Sequence, residues 1–185
     1  MEKSPRIILL NGVGSAGKSS IAKALQTITR EPYLYIAMDA FLDMLPEALW
    51  GHADGIVFET VREGGKPSVI IRSGPVAERL LRGMRHAIAA MARLGNNVIV
   101  DDVLLDGDNA AYEAALAGID VVRVGVFAPL DVLEAREAAR GDRMIGLARW
   151  QYDRVHKGMT YDLEVDTSRA PVMACAEMIR SKFGL

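Results

Sequence analysis

A glycine-rich segment near the amino terminus constrains the fold of this chain more than any other feature. Residues 12–19 read GVGSAGKS, with four residues between two glycines, and Lys18 and Ser19 directly after the second. Glycines let the backbone turn tightly and point its N–H groups inward at an anion. In this pattern the lysine reaches phosphate groups and the serine hydroxyl binds a magnesium ion. The motif therefore predicts a nucleotide phosphate-binding loop.

The segments on both sides of the loop fit that interpretation. Residues 6–10, RIILL, are typical of a buried parallel strand, and residues 20–28 place their apolar side chains on one helical face. A turn that only connects a strand to a helix would explain the glycines but not Lys18 and Ser19. We therefore expect phosphate groups to contact the loop and the start of the helix, namely Gly12, Gly14, Ser15, Ala16, Gly17, Lys18, Ser19 and Ser20.

Strand and helix patterns alternate along the rest of the chain. Apolar, β-rich runs recur at residues 33–38, 97–103, 120–127 and 161–166. Helical patterns separate them, which predicts an α/β fold with a five-stranded parallel sheet and helices on both faces. Residues 55–72 differ, because two β-rich runs flank a Gly-Gly turn and predict an antiparallel hairpin that covers a substrate. Residues 1–185 are expected to form one domain.

Composition narrows the classes of partner. The net charge of −2 gives no general attraction to nucleic acid or to an anionic membrane, and the chain has no apolar run long enough to span a bilayer. Its beginning lacks a signal peptide, and one cysteine, Cys175, excludes an internal disulfide framework. The three histidines show no metal-ligand spacing, and His156 is expected at an exposed helix end. These features predict a cytoplasmic protein whose partner is a small molecule.

Acidic residues follow two of the predicted strands. Asp39 comes after residues 33–38, and Asp101 and Asp102 end the run at 97–103. Ligands of a parallel sheet gather at the carboxyl ends of its strands, so these carboxylates should lie beside Lys18. One of Asp101 and Asp102 would organise magnesium together with Ser19, and their adjacency does not separate them. Asp39 is a candidate general base, although its position alone fits a helix N-cap equally well.

Three arginines lie on or beside a predicted break between two helices. A guanidinium matches the geometry of a transferring phosphoryl group, so Arg140 and Arg143 are candidate catalytic residues together with Lys18. Arg136 is a candidate nucleotide-binding residue, and a solvated helical face is the alternative interpretation for it. Residues 136–145 are therefore predicted to form a lid over the phosphate.

In sequence order, these features resemble those of the chloramphenicol 3-O-phosphotransferase family of small kinases. The similar segments are residues 7–12, 15–19, 97–103, 136–143, 155–158 and 161–167, together with Asp39. The resemblance implies a P-loop NTPase fold of the nucleoside monophosphate kinase type, with ATP and magnesium (Mg²⁺) as cosubstrates. It further implies transfer of the γ-phosphate to an alcohol on a small molecule, with Asp39 as the base.

The region expected to bind the acceptor, Phe41 to Arg72, departs from the family pattern. Its apolar side chains suit a neutral alcohol such as chloramphenicol, and the candidates are Phe41, Leu45, Trp50 and Phe58. An acceptor with its own phosphate or carboxylate would instead need cations, and the candidates are Arg62, Lys66, Arg72 and Arg79. A third possibility is a nucleotide-dependent switch, which would hydrolyse ATP without forming a phosphorylated product.

Overall fold

The computed structural model describes residues 5–105, 107–141 and 144–185. The strands, in chain order, are β1 Arg6–Asn11, β2 Tyr33–Ala37, β3 Ile56–Glu63, β4 Lys66–Ser73, β5 Asn97–Asp102, β6 Asp120–Phe127 and β7 Leu163–Asp166. The helices are α1 Lys18–Ile28, α2 Met38–Leu42, α3 Pro75–Arg93, α4 Asp108–Ala115, α5 Leu130–Arg140, α6 Leu147–Tyr152 and α7 Val172–Phe183. A 3₁₀ turn, Glu47–Leu49, lies between α2 and β3.

A five-stranded sheet in the order β2-β5-β1-β6-β7 forms the centre of the fold. Each neighbouring pair of strands is parallel, and Leu9 of β1 lies between Val100 of β5 and Arg123 of β6. This confirms the predicted parallel sheet. Because parallel strands end at the same edge, the residues that follow β1, β2, β5 and β6 meet at the carboxyl edge of the sheet.

The two faces of the sheet carry separate apolar cores, because side chains alternate along each strand. Ile8 and Leu10 of β1 pack in one cluster with residues of α1 and α7, whereas Ile7 and Leu9 pack in another with residues of α3 and α4. Helices therefore cover both faces, as the alternating sequence pattern predicts.

The predicted hairpin consists of β3 and β4, which pair antiparallel around the turn at Gly64-Gly65 and form a sheet of their own. Its apolar side chains pack in a third cluster around Leu45, Ile56 and Ala77, to which α2 and α3 also contribute. The hairpin is thus an addition packed beside α2 and α3, not a further strand pair of the main sheet.

The structure differs from the sequence prediction at three elements. The run at 33–38 ends as a strand at Ala37, so Asp39 lies in the first turn of α2. The second of the two helices predicted beside the lid is limited to α6, and the chain continues in turns in which Arg154 and Val155 donate to the carbonyl of Gln151. Helix α4 is not predicted from the sequence, because Tyr112 is its one large apolar residue. No helix in the described ranges combines the length and apolar character needed to cross a membrane.

Candidate active site

The phosphate loop runs from the end of β1 to the start of α1. Glycine is needed at positions 12 and 17 for two different physical reasons. Gly12 lies against β6, where a Cβ atom would come within 2.4 Å of the carbonyl oxygen of Val126. Gly17 caps α1 with φ of 94°, a left-handed conformation that favours glycine. Gly17 therefore turns the chain into the helix, whereas Gly12 allows the chain after β1 to lie close to β6.

Helix α1 begins directly after this loop. At its start, the N–H of Ile21 donates to the carbonyl of Gly17 at 3.0 Å. The N–H groups of the first turn, from Lys18 to Ser20, have no partner within a helix of this geometry. They form, with the positive end of the helix dipole, a site suited to phosphate oxygens.

Lys18 is buried and held across the loop by three oxygen atoms. Its Nζ donates to the carbonyls of Gly12 and Val13 at 2.8 and 3.1 Å, and lies 3.6 Å from Oδ1 of Asp101. A buried ammonium group is stable only with such partners. The arrangement keeps a positive charge directly under the mouth of the loop.

The structure distinguishes between the two adjacent aspartates at the end of β5. The side chain of Asp101 lies on the α1 side, where its Oδ2 accepts hydrogen bonds from the hydroxyls of Ser19 at 2.7 Å and Tyr35 at 3.0 Å. Its two oxygens and the Ser19 hydroxyl are ligands that magnesium prefers. Asp101 is therefore the member of the pair that the fold brings to Ser19.

Asp102 points to the opposite face of β5, as alternation along a strand requires. Its carboxylate accepts hydrogen bonds from the N–H of Val103 at 2.7 Å and the hydroxyl of Tyr112 at 2.6 Å. Burial raises the pKa of Asp102 to about 6, against the lowering effect of these bonds. Asp102 is thus occupied by partners away from the phosphate loop, and the magnesium assignment made for it has no support in this geometry.

Asp39 lies in the first turn of α2 with an exposed side chain. Burial is the main cause that raises the pKa of Tyr35 to about 12, and the negative charge of Asp39 is among the smaller causes. Tyr35 is also the residue that binds Asp101. Asp39 is therefore within electrostatic range of the Tyr35 hydroxyl, which binds Asp101, and its role as a base stays a prediction.

Arg136 is connected to the phosphate loop through one intermediate residue. Its guanidinium donates to Oγ1 and the carbonyl of Thr167, at 2.8 and 2.9 Å, and Oγ1 of Thr167 donates to the carbonyl of Ala16 at 2.9 Å. Thr167 directly follows β7. The predicted contact of Arg136 with nucleotide is not tested by this arrangement, which shows that Arg136 positions the loop after β7 against Ala16.

The predicted lid joins α5 to α6. Arg140 is the last residue of α5 and is exposed, whereas Arg143 lies outside the described residues. The carboxylate of Glu137, which is buried, accepts the N–H groups of Gly146 and Ala148 at 2.8 Å each. Glu137 therefore fixes the start of α6 to α5, a contact that the sequence did not predict.

Gln151 is a further residue that sequence analysis missed. It is buried in α6, and its Oε1 accepts the N–H of Gly14 at 2.7 Å. The N–H of Gly14 was expected to point at phosphate, and here it is bound to a side chain instead. The N–H of Ala16 is also bound, to the carbonyl of Val13 at 3.1 Å. Phosphate contact of the other loop residues stays a prediction.

A polar and aromatic group lies on the other side of the loop. Asn11 donates to the carbonyl of Val155 at 2.9 Å and to the hydroxyl of Tyr161 at 2.8 Å, and that hydroxyl is 2.7 Å from Nδ1 of His156. The His156 ring stacks on Phe127 with ring centres 3.9 Å apart. Burial, and then the charge of Lys18, lower the pKa of His156 to about 4. His156 is therefore a neutral, half-buried residue and not the exposed helix end predicted.

A cavity of about 240 Å³ opens beside this group. It is lined by Val13, Val126, Phe127, Ala128, Tyr152 and His156. None of these lining side chains is charged, since the lowered pKa keeps His156 neutral at physiological pH. The cavity borders the phosphate loop through Val13 and suits an uncharged group.

The apolar residues predicted to bind an acceptor are placed differently from one another. Leu45 is buried in the third cluster with Phe58 packed against it, and Phe41 packs against the core on the α3 and α4 face. Trp50 is exposed and stacks on Phe58, with ring centres 6.2 Å apart. Trp50 is thus the most accessible of the four, and their contact with an acceptor stays a prediction.

The predicted cations of the hairpin have acidic or carbonyl partners. Lys66 lies 3.3 Å from Glu134 and Arg72 lies 3.1 Å from Glu59. Arg62 donates to the carbonyl of Gly65 at 3.1 Å. These pairs reduce the positive charge that the hairpin offers to an anionic acceptor.

The described residues contain no group of three or more His, Cys, Asp or Glu side chains that could hold a metal ion. A magnesium ion at Ser19 and Asp101 would therefore take its other ligands from phosphate and water, which is the usual arrangement for this ion.

Comparison with known proteins agrees with this geometry. A family model described as chloramphenicol phosphotransferase-like protein matches residues 5–184. Relatives from the Mycobacterium tuberculosis strains CDC 1551 and H37Rv, provisionally named O-phosphotransferases, are 31% identical over 194 residues, covering 96% of this chain and 82% of theirs.

Solved structures show the same fold. The adenylylsulfate (APS) kinase of M. tuberculosis, in complex with AMPPNP and APS, has a TM-score of 0.67 at 18% identity over 98% of this chain and 99% of its own. An unliganded sugar kinase from Janibacter sp. HTCC2649 has a TM-score of 0.67 at 17% identity over 98% and 95%. These likenesses confirm the predicted P-loop fold.

Proposed function

The chain belongs to the chloramphenicol phosphotransferase-like family, and on that premise we propose that it transfers the γ-phosphate of ATP to a hydroxyl of a small neutral molecule, chloramphenicol or a similar alcohol. One observation carries the proposal. Ser19 and Lys18 of the phosphate loop meet the carboxylate of Asp101, at 2.7 and 3.6 Å. A cation and magnesium-binding oxygens at one phosphate loop are the parts that phosphoryl transfer needs.

The phosphates of ATP would lie at the start of α1. Backbone N–H groups of Ser15 and of residues 17–20 would bind their oxygens, because the N–H of Ala16 is bound to the carbonyl of Val13, and Lys18 would neutralise their charge. The loop is already held in shape by Gln151 and Thr167. Little conformational entropy would then be lost when nucleotide binds.

Ser19 and Asp101 would hold magnesium, because both offer oxygen ligands and lie at the loop. When bound, the ion neutralises negative charge on the phosphates. The contribution of the protein is to orient these ligands: the Tyr35 hydroxyl donates to Asp101 at 3.0 Å and so fixes the carboxylate.

Asp39 is the proposed general base. It would accept the proton of the acceptor hydroxyl as that oxygen bonds to the γ-phosphorus and the bond to the bridging oxygen of ADP breaks. Arg140 and Arg143 would stabilise the charge that spreads over the equatorial oxygens. Arg136 would act less directly, by holding Thr167 against Ala16.

The charge distribution favours a neutral acceptor. The hairpin cations Lys66 and Arg72 are paired with carboxylates. An acceptor with its own phosphate or carboxylate would compete with Glu134 and Glu59 for these exposed cations, whereas an uncharged ring or chain would not.

The test is transfer of radiolabelled γ-phosphate from ATP with magnesium. One panel holds chloramphenicol and other neutral hydroxylated compounds, and a second holds alcohols with a carboxylate or phosphate. We expect a labelled product in the first panel, and a loss of about 100-fold or more in turnover for Asp39→Asn. Asp43→Asn, a matched exposed residue just after α2, should keep normal turnover.

The other outcomes overturn separate parts of the proposal. Product only in the second panel would overturn the neutral acceptor. Release of labelled inorganic phosphate without any phosphorylated acceptor would overturn transfer and support a nucleotide-dependent switch. Normal turnover of Asp39→Asn would overturn the base.

A further inference from the structure

Helix α6 contacts the phosphate loop through Gln151. The side chain is buried, and its Oε1 accepts the N–H of Gly14 at 2.7 Å. A Cβ atom on Gly14 would lie 3.2 Å from that oxygen, a tighter contact than is usual. The phosphate loop and α6 therefore approach closely at Gly14, where the absence of a side chain leaves room for Gln151.

The other end of α6 contacts the hairpin. The carbonyl of Gly146, which precedes α6, accepts the N–H of Val69 in β4 at 2.9 Å. Gly146 has φ of 104°, and a Cβ atom there would lie 2.6 Å from the carbonyl oxygen of Pro67. Any other residue at 146 would thus force β4 and the start of α6 apart.

Hydrogen bonds from neighbouring segments hold both ends of α6. Glu137 binds the N–H groups of Gly146 and Ala148 at 2.8 Å each, and Ala148 is fully buried. Beyond the helix, the N–H groups of Arg154 and Val155 are bound to the carbonyl of Gln151, both at 2.9 Å. A displacement of one end of α6 would consequently be transmitted to the other.

We infer that α6 couples the hairpin to the phosphate loop, and that Gln151 is the positioning residue that sets the loop for nucleotide. Gly146 is the hairpin end of this connection. The assignment of acceptor binding to the hairpin rests on the proposed function, but the coupling itself does not. Displacing β4 from Gly146 should change nucleotide affinity, although the hairpin contributes no residue to the phosphate loop.

The experiment is a double-mutant cycle read out by calorimetric binding of the ATP analogue AMPPNP with magnesium, which needs neither an acceptor nor turnover. Gln151→Met removes the acceptor oxygen at similar volume and should weaken binding by about tenfold, the equivalent of about 1.4 kcal/mol. Gly146→Ala should weaken binding by a similar factor. The fold-loss of AMPPNP affinity in the double variant should be much smaller than the product of the two single fold-losses, because both substitutions act through one contact.

Two controls separate coupling from general damage. Gln26→Met changes the only other glutamine, which is exposed in α1. Gly118→Ala imposes the same positive-φ strain, at φ of 78°, with no heavy atom within 4 Å of the new Cβ. Both should bind AMPPNP as the unaltered protein does.

A second measurement covers the case in which Gln151→Met does not fold. In Gly146→Ala, the amide resonance of Gly14 should shift and its hydrogen exchange should accelerate, whereas Gly118→Ala should leave both unchanged. Unchanged AMPPNP affinity in folded Gln151→Met, multiplying losses in the cycle, or an unaltered Gly14 amide in Gly146→Ala would overturn the inference. Failure of phosphate transfer with intact coupling would count against the proposed function alone.

Discussion

The hydroxyl of Ser19 donates to Oδ2 of Asp101 at 2.7 Å, and so joins two residues that are 82 positions apart. Ser19 belongs to the first turn of α1 and Asp101 to the end of β5. Oδ1 of the same carboxylate lies 3.6 Å from Nζ of Lys18. One aspartate thus meets both polar side chains of the phosphate-loop motif, whereas its neighbour Asp102 meets neither and is bound to Tyr112.

The two aspartates should differ in their effect on transfer. Asp101→Asn removes a magnesium ligand and should lower turnover by about 100-fold and raise the magnesium concentration needed for half-maximal rate. Asp102→Asn should change turnover by less than about threefold, since both carboxylate oxygens have partners away from the loop. Steady-state rates over a magnesium titration measure both. Equal losses in the two variants would contradict the assignment.

Asp102 should also make stability depend on pH. Its pKa of about 6 in the folded chain is above the ordinary value of 3.8. Between these two values the folded state binds more protons than the unfolded state, so this contribution to the free energy of unfolding falls as pH rises. At neutral pH the buried carboxylate costs on the order of 3 kcal/mol relative to its protonated form.

Asp102→Asn removes that titration and should be the more stable protein at pH 7. The free energy of unfolding, from urea titrations at pH 4, 5, 6 and 7, should show a growing advantage for the variant as pH rises. Because His156 and the other titrating groups are common to both proteins, they cancel in the difference. A difference that does not change with pH would show that Asp102 has an ordinary pKa.

The sequence predicted those parts of the fold and site that local pattern determines. The phosphate loop depends on consecutive residues, and the five strands depend on short apolar runs, so both were predicted. The hairpin was predicted because Gly64-Gly65 separates two β-rich runs. The start of α2 at Met38 was not predicted, because the apolar run at 33–38 continues without a break into it.

The remaining site contacts join residues far apart in sequence, and no spacing rule predicts them. Gln151 binds Gly14 across 137 positions, and Thr167 binds Ala16 across 151. Glutamine in a short helix and threonine after a strand are ordinary residues there. The choice between Asp101 and Asp102 likewise needed the orientation of β5, which places its successive side chains on opposite faces.

Gly12 should be intolerant of any side chain for a steric reason. A Cβ atom there would lie 2.4 Å from the carbonyl oxygen of Val126, which is backbone and cannot rotate away. Gly12→Ala should therefore lower the free energy of unfolding by about 2–3 kcal/mol. The measurement is urea unfolding, with the transition slope compared between proteins.

Gly83→Ala is the matched control for that substitution. Gly83 lies inside α3 with no heavy atom within 4 Å of a new Cβ. Alanine there should raise the free energy of unfolding by roughly 0.5–1 kcal/mol, because glycine disfavours a helix interior. Equal effects at positions 12 and 83 would show that β1 and β6 are not in close contact at Gly12.

Thr167→Val should separate the loop after β7 from the phosphate loop. Valine keeps the volume of threonine, but it removes the hydroxyl that donates to Ala16 and accepts from Arg136. The carbonyl of Ala16 loses this donor, and Arg136 keeps its second bond to the Thr167 carbonyl. We expect a loss of about 1–2 kcal/mol in the free energy of unfolding and roughly tenfold weaker AMPPNP binding.

Thr27→Val is the control for this substitution. It loses a local bond to Ala24 within α1 and should leave AMPPNP affinity unchanged. Weaker AMPPNP binding in both variants would contradict a specific role of Thr167, since Thr27 lies at the far end of α1 from the phosphate loop.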